Sequence, residues 1–194
     1  MNLSRLGADA GISQPTARAW LSVLETSFIV FRAPAWHANQ RKRLVKSPKL
    51  HFYDPGLLCH LLGIQDPAQI RSHPLRGALF ESWVASEVMK QRFHRGLQPR
   101  VFHFREISGT EVDLLVQDGL DFLLVEAKSG QTMAGSFLDP LRQVLEPLRQ
   151  AQPEARVRPV VLYGGDQAQN RQDVNVLPWN RIEELAPEPA EGRP

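Results

Sequence analysis

Apolar residues recur at helical spacing in the first part of this chain, and short apolar runs follow, so the pattern predicts helices in front of strands. Residues 3–10 predict a first short helix that Gly11 ends. Ser13 is suited to cap a second helix, with Pro15 in its first turn. We expect five apolar side chains of this second helix to form one buried face: Ala17, Trp20, Leu21, Leu24 and Phe28.

A basic hairpin is predicted next, because residues 27–31 and 49–53 have the pattern of a strand and its return. Two helices and a basic hairpin are the order of a winged helix-turn-helix, which binds DNA through its second helix and its wing. Lys49, on the return strand, is expected to neutralise a phosphate together with the hairpin cations. Protein contact is the alternative use of such a unit. The predicted DNA-binding side chains are Gln14, Thr16 and Arg18 on the helix, and Arg41, Lys42, Arg43 and Lys46 in the hairpin.

The charge distribution supports a division into two domains. Residues 1–50 hold eight Lys or Arg against two acids, whereas the chain as a whole has a net charge of only +2. A basic front suggests a module that binds a polyanion, although solvated surface charge is the alternative. Pro67 and Pro74 indicate a boundary, so we predict a winged-helix-like domain at 1–63, a second domain at 75–186 and a disordered tail at 187–194.

The second half combines helices and strands, which predicts an α/β protein of the α+β kind with a mixed sheet flanked by helices. Its first three strands are close in sequence and predict an antiparallel meander, with a turn around Asp118 and Gly119. The predicted helices are 75–93, 137–150 and a short 179–185; the predicted strands are 101–104, 110–116, 122–128, 157–163 and 174–177.

Charged residues interrupt these apolar strands. The period of two places Glu126 and Lys128 on one face of their strand, and hairpin pairing would bring Asp113 near Glu126. Glu81 lies beside the buried stripe of the helix 75–93, although a glutamate that points to solvent is the alternative. A satisfied ion network, in which Lys128 neutralises both carboxylates, is the alternative for the strands. Gln143 either contacts this site from the following helix or lies on the surface.

Glu81 on a helix, Asp113 on a strand and Glu126-Ala127-Lys128 on the next strand resemble the PD-(D/E)XK nuclease superfamily, which has a restriction-endonuclease-like fold. The resemblance implies that Asp113, Glu126 and the backbone carbonyl of Ala127 hold Mg²⁺ or Mn²⁺. It also implies that Lys128 is catalytic and Glu81 an accessory acid. Val112 stands where the superfamily has its name-giving proline, a position that varies widely.

Ordered motifs along nearly the whole chain are similar to the C-terminal region of uncharacterised prokaryotic AAA-type ATPases, a winged helix joined to a nuclease-like domain. In that family a P-loop ATPase domain comes first, but no GxxxxGK[ST] motif occurs here. We therefore expect no ATP hydrolysis by this chain, a winged helix without its first helix, and either a remnant or a separate ATPase partner chain. The motifs are Gly11-Ile12-Ser13, residues 20–25, Lys46-Ser47-Pro48-Lys49, residues 53–57, 77–81, Phe104-Arg105, Glu111-Val112-Asp113 and residues 125–128.

Several other classes of function are excluded or disfavoured. The sequence has no apolar run of about 18 residues, which a membrane span requires, and no signal-peptide pattern. The single cysteine, Cys59, favours a reducing compartment, so we expect a cytoplasmic protein. The histidines lack zinc-binding spacing. The sequence thus predicts a metal-dependent nuclease-like protein that binds DNA and hydrolyses phosphodiester bonds; the alternative is a non-catalytic DNA-binding or regulatory module of an AAA-type ATPase system.

Overall fold

A computed structural model describes residues 2–36, 47–106 and 109–186. These residues form helices on both faces of a mixed six-stranded sheet, with a separate two-stranded sheet, so the predicted mixed α/β class is confirmed. The helices are α1 (Leu3–Asp9), α2 (Gln14–Thr26), α3 (Pro55–Leu61), α4 (Pro67–Ser72), α5 (Arg76–His94) and α6 (Asp139–Ala151), with 3₁₀ turns at Gly135–Leu138 and Trp179–Leu185. The strands are β1 (Val30–Ala33), β2 (Lys49–Phe52), β3 (Val101–Arg105), β4 (Glu111–Asp118), β5 (Asp121–Lys128), β6 (Val157–Tyr163), β7 (Gln169–Arg171) and β8 (Val174–Pro178).

The first two helices begin where the sequence predicts, and α1 ends before Gly11. Asn2 caps α1, and the chain turns at Gly11, whose φ of +67° is favourable for glycine. The Ser13 side chain accepts a hydrogen bond from the backbone N–H of Thr16 at 3.2 Å, and Pro15 lies in the first turn of α2. Local capping therefore decides where α2 starts.

Loss of this cap should cost a modest part of the stability. We expect Ser13→Ala to lower the free energy of unfolding by about 1 kcal/mol, because one N–H at the start of α2 loses its partner. Urea denaturation followed by circular dichroism measures the change. Ser22→Ala, an exposed serine in the middle of the same helix, is the control and should alter stability by less than about 0.5 kcal/mol. Equal effects of the two substitutions would show that the cap contributes nothing.

The predicted buried face of α2 is only partly correct. Ala17 and Leu21 are buried, but Trp20 is 59% exposed and Phe28 is 67% exposed. Leu24 is also exposed. The helix packs against α1 and β1, which cover a narrower stripe than the spacing of its apolar residues suggests. Phe28 has left the helix: its φ is +55°, and its ring lies 5.7 Å from that of Tyr53.

The β1–β2 hairpin packs on the second half of the chain. Its register pairs Val30 with Phe52 and Ala33 with Lys49, and β1 starts three residues later than predicted. Phe31 joins the core formed by α5 and the large sheet. The N–H of Trp36 donates to the carbonyl of His103 at 2.8 Å, which ties the hairpin to β3. The predicted order of helices and hairpin is present, and its interpretation as a winged helix stays a prediction.

The large sheet has the strand order β3-β4-β5-β6-β8-β7. The antiparallel meander of β3, β4 and β5 is confirmed, and Gly119 occupies the predicted turn with a φ of +61°. β6 pairs parallel with both β5 and β8, and β7 is an antiparallel edge strand. α5 covers one face of the sheet and α6 covers the other, so both faces of β5 are buried.

Two short elements were not predicted. α4 lies inside the segment 64–74, and it is held by a capping box between Asp66 and Gln69. β7 is a polar edge strand of three residues, so it shows no alternation of apolar and polar positions. The predicted tail, 187–194, lies outside the described residues. Among the helices of the described part, none is both long and apolar enough to span a lipid bilayer.

Candidate active site

A cavity of about 920 Å³ lies where β2, α5, β4, β5 and α6 meet. We call it the acidic cleft. All four predicted catalytic side chains line it, although they come from three different elements. The charged residues that line the acidic cleft are Lys49, Glu81, Glu111, Asp113, Glu126, Lys128 and Asp139.

The β4–β5 hairpin brings Asp113 and Glu126 together, as the sequence predicts. Leu114 of β4 pairs with Val125 of β5. Because the two strands are antiparallel, Asp113, which precedes Leu114, lies beside Glu126, which follows Val125. Asp113 Oδ2 accepts a hydrogen bond from the backbone N–H of Ala127 at 3.0 Å. This bond fixes the Asp113 carboxylate against β5. The role of the Ala127 carbonyl as a metal ligand stays a prediction.

Glu126 is the most buried carboxylate of the acidic cleft, with 4% exposure. Lys128 Nζ donates to Glu126 Oε1 at 2.5 Å, while Glu126 Oε2 is buried and has no hydrogen-bond partner among the described residues. Burial and the Asp113 charge raise the pKa of Glu126 to about 7, although Lys128 and Lys49 oppose the shift. The site therefore holds a carboxyl group that titrates near neutral pH.

Lys128 lies at the mouth of the cleft, where its Nζ is 5.6 Å from the centre of the Phe137 ring. Burial lowers the pKa of Lys128, but the hydrogen bond and the charge of Glu126 outweigh burial, so the pKa is raised. Lys128 is therefore a charged ammonium at physiological pH. The Ser129 carbonyl that follows it accepts a hydrogen bond from Arg76, the first residue of α5.

Glu81 faces the acidic cleft rather than solvent, so the alternative reading of it as a solvent-facing helix residue is wrong. Its Oε1 accepts a hydrogen bond from Lys49 Nζ at 2.8 Å. Burial and the Asp113 charge raise the pKa of Glu81, while Lys49 opposes this shift. Glu81 is thus the contribution of α5 to the site.

Lys49 is a residue of the acidic cleft whose position the sequence reasoning did not predict. Instead of contacting phosphate beside the hairpin cations, its Nζ lies 2.8 Å from Glu81, 2.7 Å from Glu111 and 2.9 Å from Asp113. Burial lowers the pKa of Lys49, but the charges of Asp113 and Glu81 outweigh burial and raise it above its ordinary value. The period of two places Lys49 on the same strand face as His51, but the burial of His51 comes from the structure, so the sequence alone contained no signal for the position of Lys49.

Uncharged polar side chains also line the cleft. His51 is 2% exposed, its Nδ1 lies 3.4 Å from Ser82 Oγ, and its Nε2 has no partner among the described residues. Burial and the Lys49 charge lower the pKa of His51 to about 4, so the ring is neutral at physiological pH. Gln143, whose role the sequence left open, accepts a hydrogen bond from Thr110 at the cleft.

The predicted DNA-binding residues of α2 are not among the residues that line the acidic cleft. Gln14 and Arg18 are exposed on α2, and the Thr16 hydroxyl lies 2.8 Å from Ser13 Oγ. Their contact with DNA stays a prediction. The four hairpin cations lie outside the described residues: Arg41, Lys42, Arg43 and Lys46.

Comparison with known proteins identifies the family. Residues 76–182 match a domain of unknown function, DUF4143. The chain belongs to this family. Residues 1–68 match a second domain of unknown function, DUF8612. Two mycobacterial proteins described as uncharacterized, Mb2031c of Mycobacterium bovis and Rv2008c of Mycobacterium tuberculosis, are each 32% identical to this chain over 115 residues, which are 59% of the chain and 25% of each relative. The chain thus spans about a quarter of the length of these curated relatives.

The DUF4143 segment contains most of the acidic cleft, including Glu81, Asp113, Glu126 and Lys128. Lys49 and His51 lie in the segment that matches DUF8612. DUF4143 domains are typically found in proteins associated with AAA-type ATPases. The cleft of this DUF4143 protein is therefore formed by residues from both matched segments.

The donor chemistry of this DUF4143 cleft fits a divalent cation, because Mg²⁺ and Mn²⁺ prefer carboxylate oxygens and Glu126 Oε2 is buried without a partner in the described part. The side chains of residues 2–36, 47–106 and 109–186 contain no preformed group of three or more metal-ligating His, Cys, Asp or Glu. The ammonium of Lys49 lies between three of the carboxylates. The cation at the centre of the described arrangement is thus a lysine.

Proposed function

We propose that this DUF4143 protein hydrolyses phosphodiester bonds of DNA, with Mg²⁺ or Mn²⁺, at the acidic cleft. The observation that carries the proposal is the convergence of Glu81, Asp113, Glu126 and Lys128 on one cavity, with one carboxylate oxygen of Glu126 left without a described partner. Burying charged groups costs several kcal/mol of folding free energy unless they are paired. Perturbed carboxyl groups in a cleft are typical of functional sites.

Each side chain has a chemical role that suits its position. Asp113, Glu126 and the Ala127 carbonyl would hold the cation, which when bound polarises the scissile phosphate and acidifies a water molecule. Lys128 keeps its positive charge and can stabilise the negative charge that develops on phosphate. Without the cation the pKa of Glu126 is about 7, so binding of the cation near neutral pH would displace a proton from this carboxyl group. Glu81 adds a further acid.

DNA binding belongs to the same proposal. The exposed Gln14 and Arg18 of α2 and the basic residues at 41–46 would contact bases and phosphates. An ATPase partner chain is proposed from the association of DUF4143 domains with AAA-type ATPases. DNA is thus proposed from the charge of the sequence, and the ATPase chain is proposed from the family. Neither proposal uses the geometry of the cleft.

Cleavage of supercoiled plasmid tests the proposed activity. We expect nicking with Mg²⁺ or Mn²⁺ but not with EDTA, and a loss of about 100-fold or more in Asp113→Asn and Lys128→Ala, since each removes a charge that acts on the phosphate or the cation. Glu87→Gln is the matched control, because Glu87 is a carboxylate of α5 that pairs with Lys90 outside the cleft. This control should nick like the unmodified protein. Nicking that persists in Asp113→Asn would refute the site.

A non-catalytic DNA-binding or regulatory module is the second candidate. Lys49 favours it, because an ammonium bonded to three carboxylates is a satisfied ion network that needs no metal. This candidate predicts intact plasmid under every metal condition, together with retardation of DNA on a gel that weakens as salt rises. The plasmid experiment therefore separates the two functions.

A further inference from the structure

Lys49 is saturated by carboxylates. An ammonium group has three N–H donors, and Lys49 Nζ has three carboxylate partners at 2.7–2.9 Å. The partners come from α5, which carries Glu81, and from β4, which carries Glu111 and Asp113. The Lys49 side chain is 19% exposed, so it lies within the cleft rather than at the surface. In this arrangement Lys49 has no donor left for a phosphate.

Asp113 is shared between Lys49 and β5. Its Oδ2 is bound by the N–H of Ala127 at 3.0 Å, and its Oδ1 is bound by Lys49 at 2.9 Å. The oxygen that is not held by the backbone is therefore the one that Lys49 contacts. A metal ion that binds Asp113 through Oδ1 must therefore come close to the Lys49 ammonium. The two positive charges would then lie beside the same oxygen atom and repel each other strongly.

Five carboxylates line the acidic cleft together with two lysines, and Arg105 reaches Glu111 from the side at 3.4 Å. If Lys49 withdraws, the three carboxylates that it contacts lose a positive charge, and a divalent cation at the same position would supply one. The charges of the cleft are therefore compatible with an exchange of one cation for the other.

The position of Lys49 in the fold allows such an exchange. Lys49 is the first residue of β2, and the hairpin is a two-stranded sheet separate from the strands that carry Asp113 and Glu126. We propose that Lys49 is a tethered counter-ion that competes with the divalent cation for the carboxylates of the acidic cleft, so that metal binds only when Lys49 withdraws. This inference rests on the proposed metal-dependent function. It adds a condition for metal binding, namely that Lys49 leaves the carboxylates.

Mn²⁺ binding to the full chain, measured by isothermal titration calorimetry, tests the competition directly. We expect Lys49→Met to bind Mn²⁺ about ten-fold more tightly than the unmodified protein, or better, because the competing charge is gone. Lys49→Gln, which keeps hydrogen-bond donors but no charge, is the second variant if the methionine protein fails to fold. Lys90→Met, on α5 outside the cleft, is the control and should bind like the unmodified protein.

The outcomes distinguish the inference from the function on which it rests. Tighter binding in both neutral variants, with no change in Lys90→Met, supports the competition. Equal or weaker Mn²⁺ binding in the neutral variants overturns the role of Lys49 but leaves a metal site in place. No binding of Mn²⁺ to any of the folded proteins overturns both proposals.

Discussion

Replacing Glu126 by glutamine is expected to abolish metal-dependent nicking and, at the same time, to stabilise the protein above neutral pH. The loss of activity follows because the amide cannot supply the charged oxygens of the proposed ligand. We expect a decrease of about 1000-fold or more in the plasmid assay. The gain in stability follows from the burial of Glu126, since its charged form is unfavourable in the folded state.

The sign of the pH dependence follows from the pKa of Glu126. The pKa is about 7 in the folded protein and has an ordinary value of 4.5, so the folded state holds this proton more tightly than the unfolded state does. The contribution to stability is fully present below pH 4.5 and is lost as the pH rises through 7. Glutamine carries no charge at any pH, so the variant lacks this loss.

The expected difference at pH 8.5 is about 2 kcal/mol in favour of Glu126→Gln. Urea denaturation at pH 5, 7 and 8.5 measures it, and the difference between the two proteins should shrink at pH 5. Glu87→Gln serves as the control, with no comparable gain. A variant that is less stable than the unmodified protein at pH 8.5 would contradict the prediction.

The second large effect concerns Arg92, a buried arginine of α5 outside the acidic cleft. Arg92 is 2% exposed; its guanidinium donates to both oxygens of Asp118 at 2.8 and 2.7 Å, and its Nε donates to the carbonyl of Gln98 at 2.7 Å. We expect Arg92→Met to lower the free energy of unfolding by about 3 kcal/mol, because the substitution leaves the Asp118 carboxylate without its donor and removes the hydrogen bond from Arg92 to the Gln98 carbonyl. Urea denaturation at pH 7 measures the loss.

A surface ion pair on the same helix provides the comparison. Lys90 donates to Glu87 at 2.6 Å, but the Lys90 side chain is 43% exposed, so Lys90→Met should cost less than about 0.5 kcal/mol. Asp118 is 35% exposed, so water can solvate it when Arg92 is lost. The expected loss of unfolding free energy is therefore near the lower end of the range for removing one partner of a buried ion pair. Equal effects of the two substitutions would show that burial adds nothing to the Arg92 pair.

Short-range sequence patterns predicted the part of the acidic cleft that β4 and β5 form. The period of two placed Glu126 and Lys128 on one face of β5, and a tight turn at Gly119 fixed the hairpin that brings Asp113 beside them. These relations involve neighbours in sequence, and a short turn leaves little freedom in the register. The same reasoning placed the start of α2 at Ser13, where a side chain bonds to a backbone group three residues away.

Relations between distant segments escaped the sequence reasoning. Trp20 and Phe28 have helical spacing, but their burial depends on how much of α2 its neighbours cover. Glu81 could equally well have faced solvent, because the helical pattern fixes the angle of a side chain about the helix axis but not the group that it meets. Its partner, Lys49, lies 32 residues away on another element.

The sequence by itself determined the class of the fold, the start of α2, the meander and the proximity of Asp113 to Glu126, because each depends on short-range periodicity, capping or turn geometry. Only the tertiary structure decided that Lys49 lies among the carboxylates, 64 residues from Asp113 in sequence. That position requires the β1–β2 hairpin to pack on α5 and β3. Docking of this kind depends on the complementary surfaces of whole elements, and no local pattern along the chain encodes it.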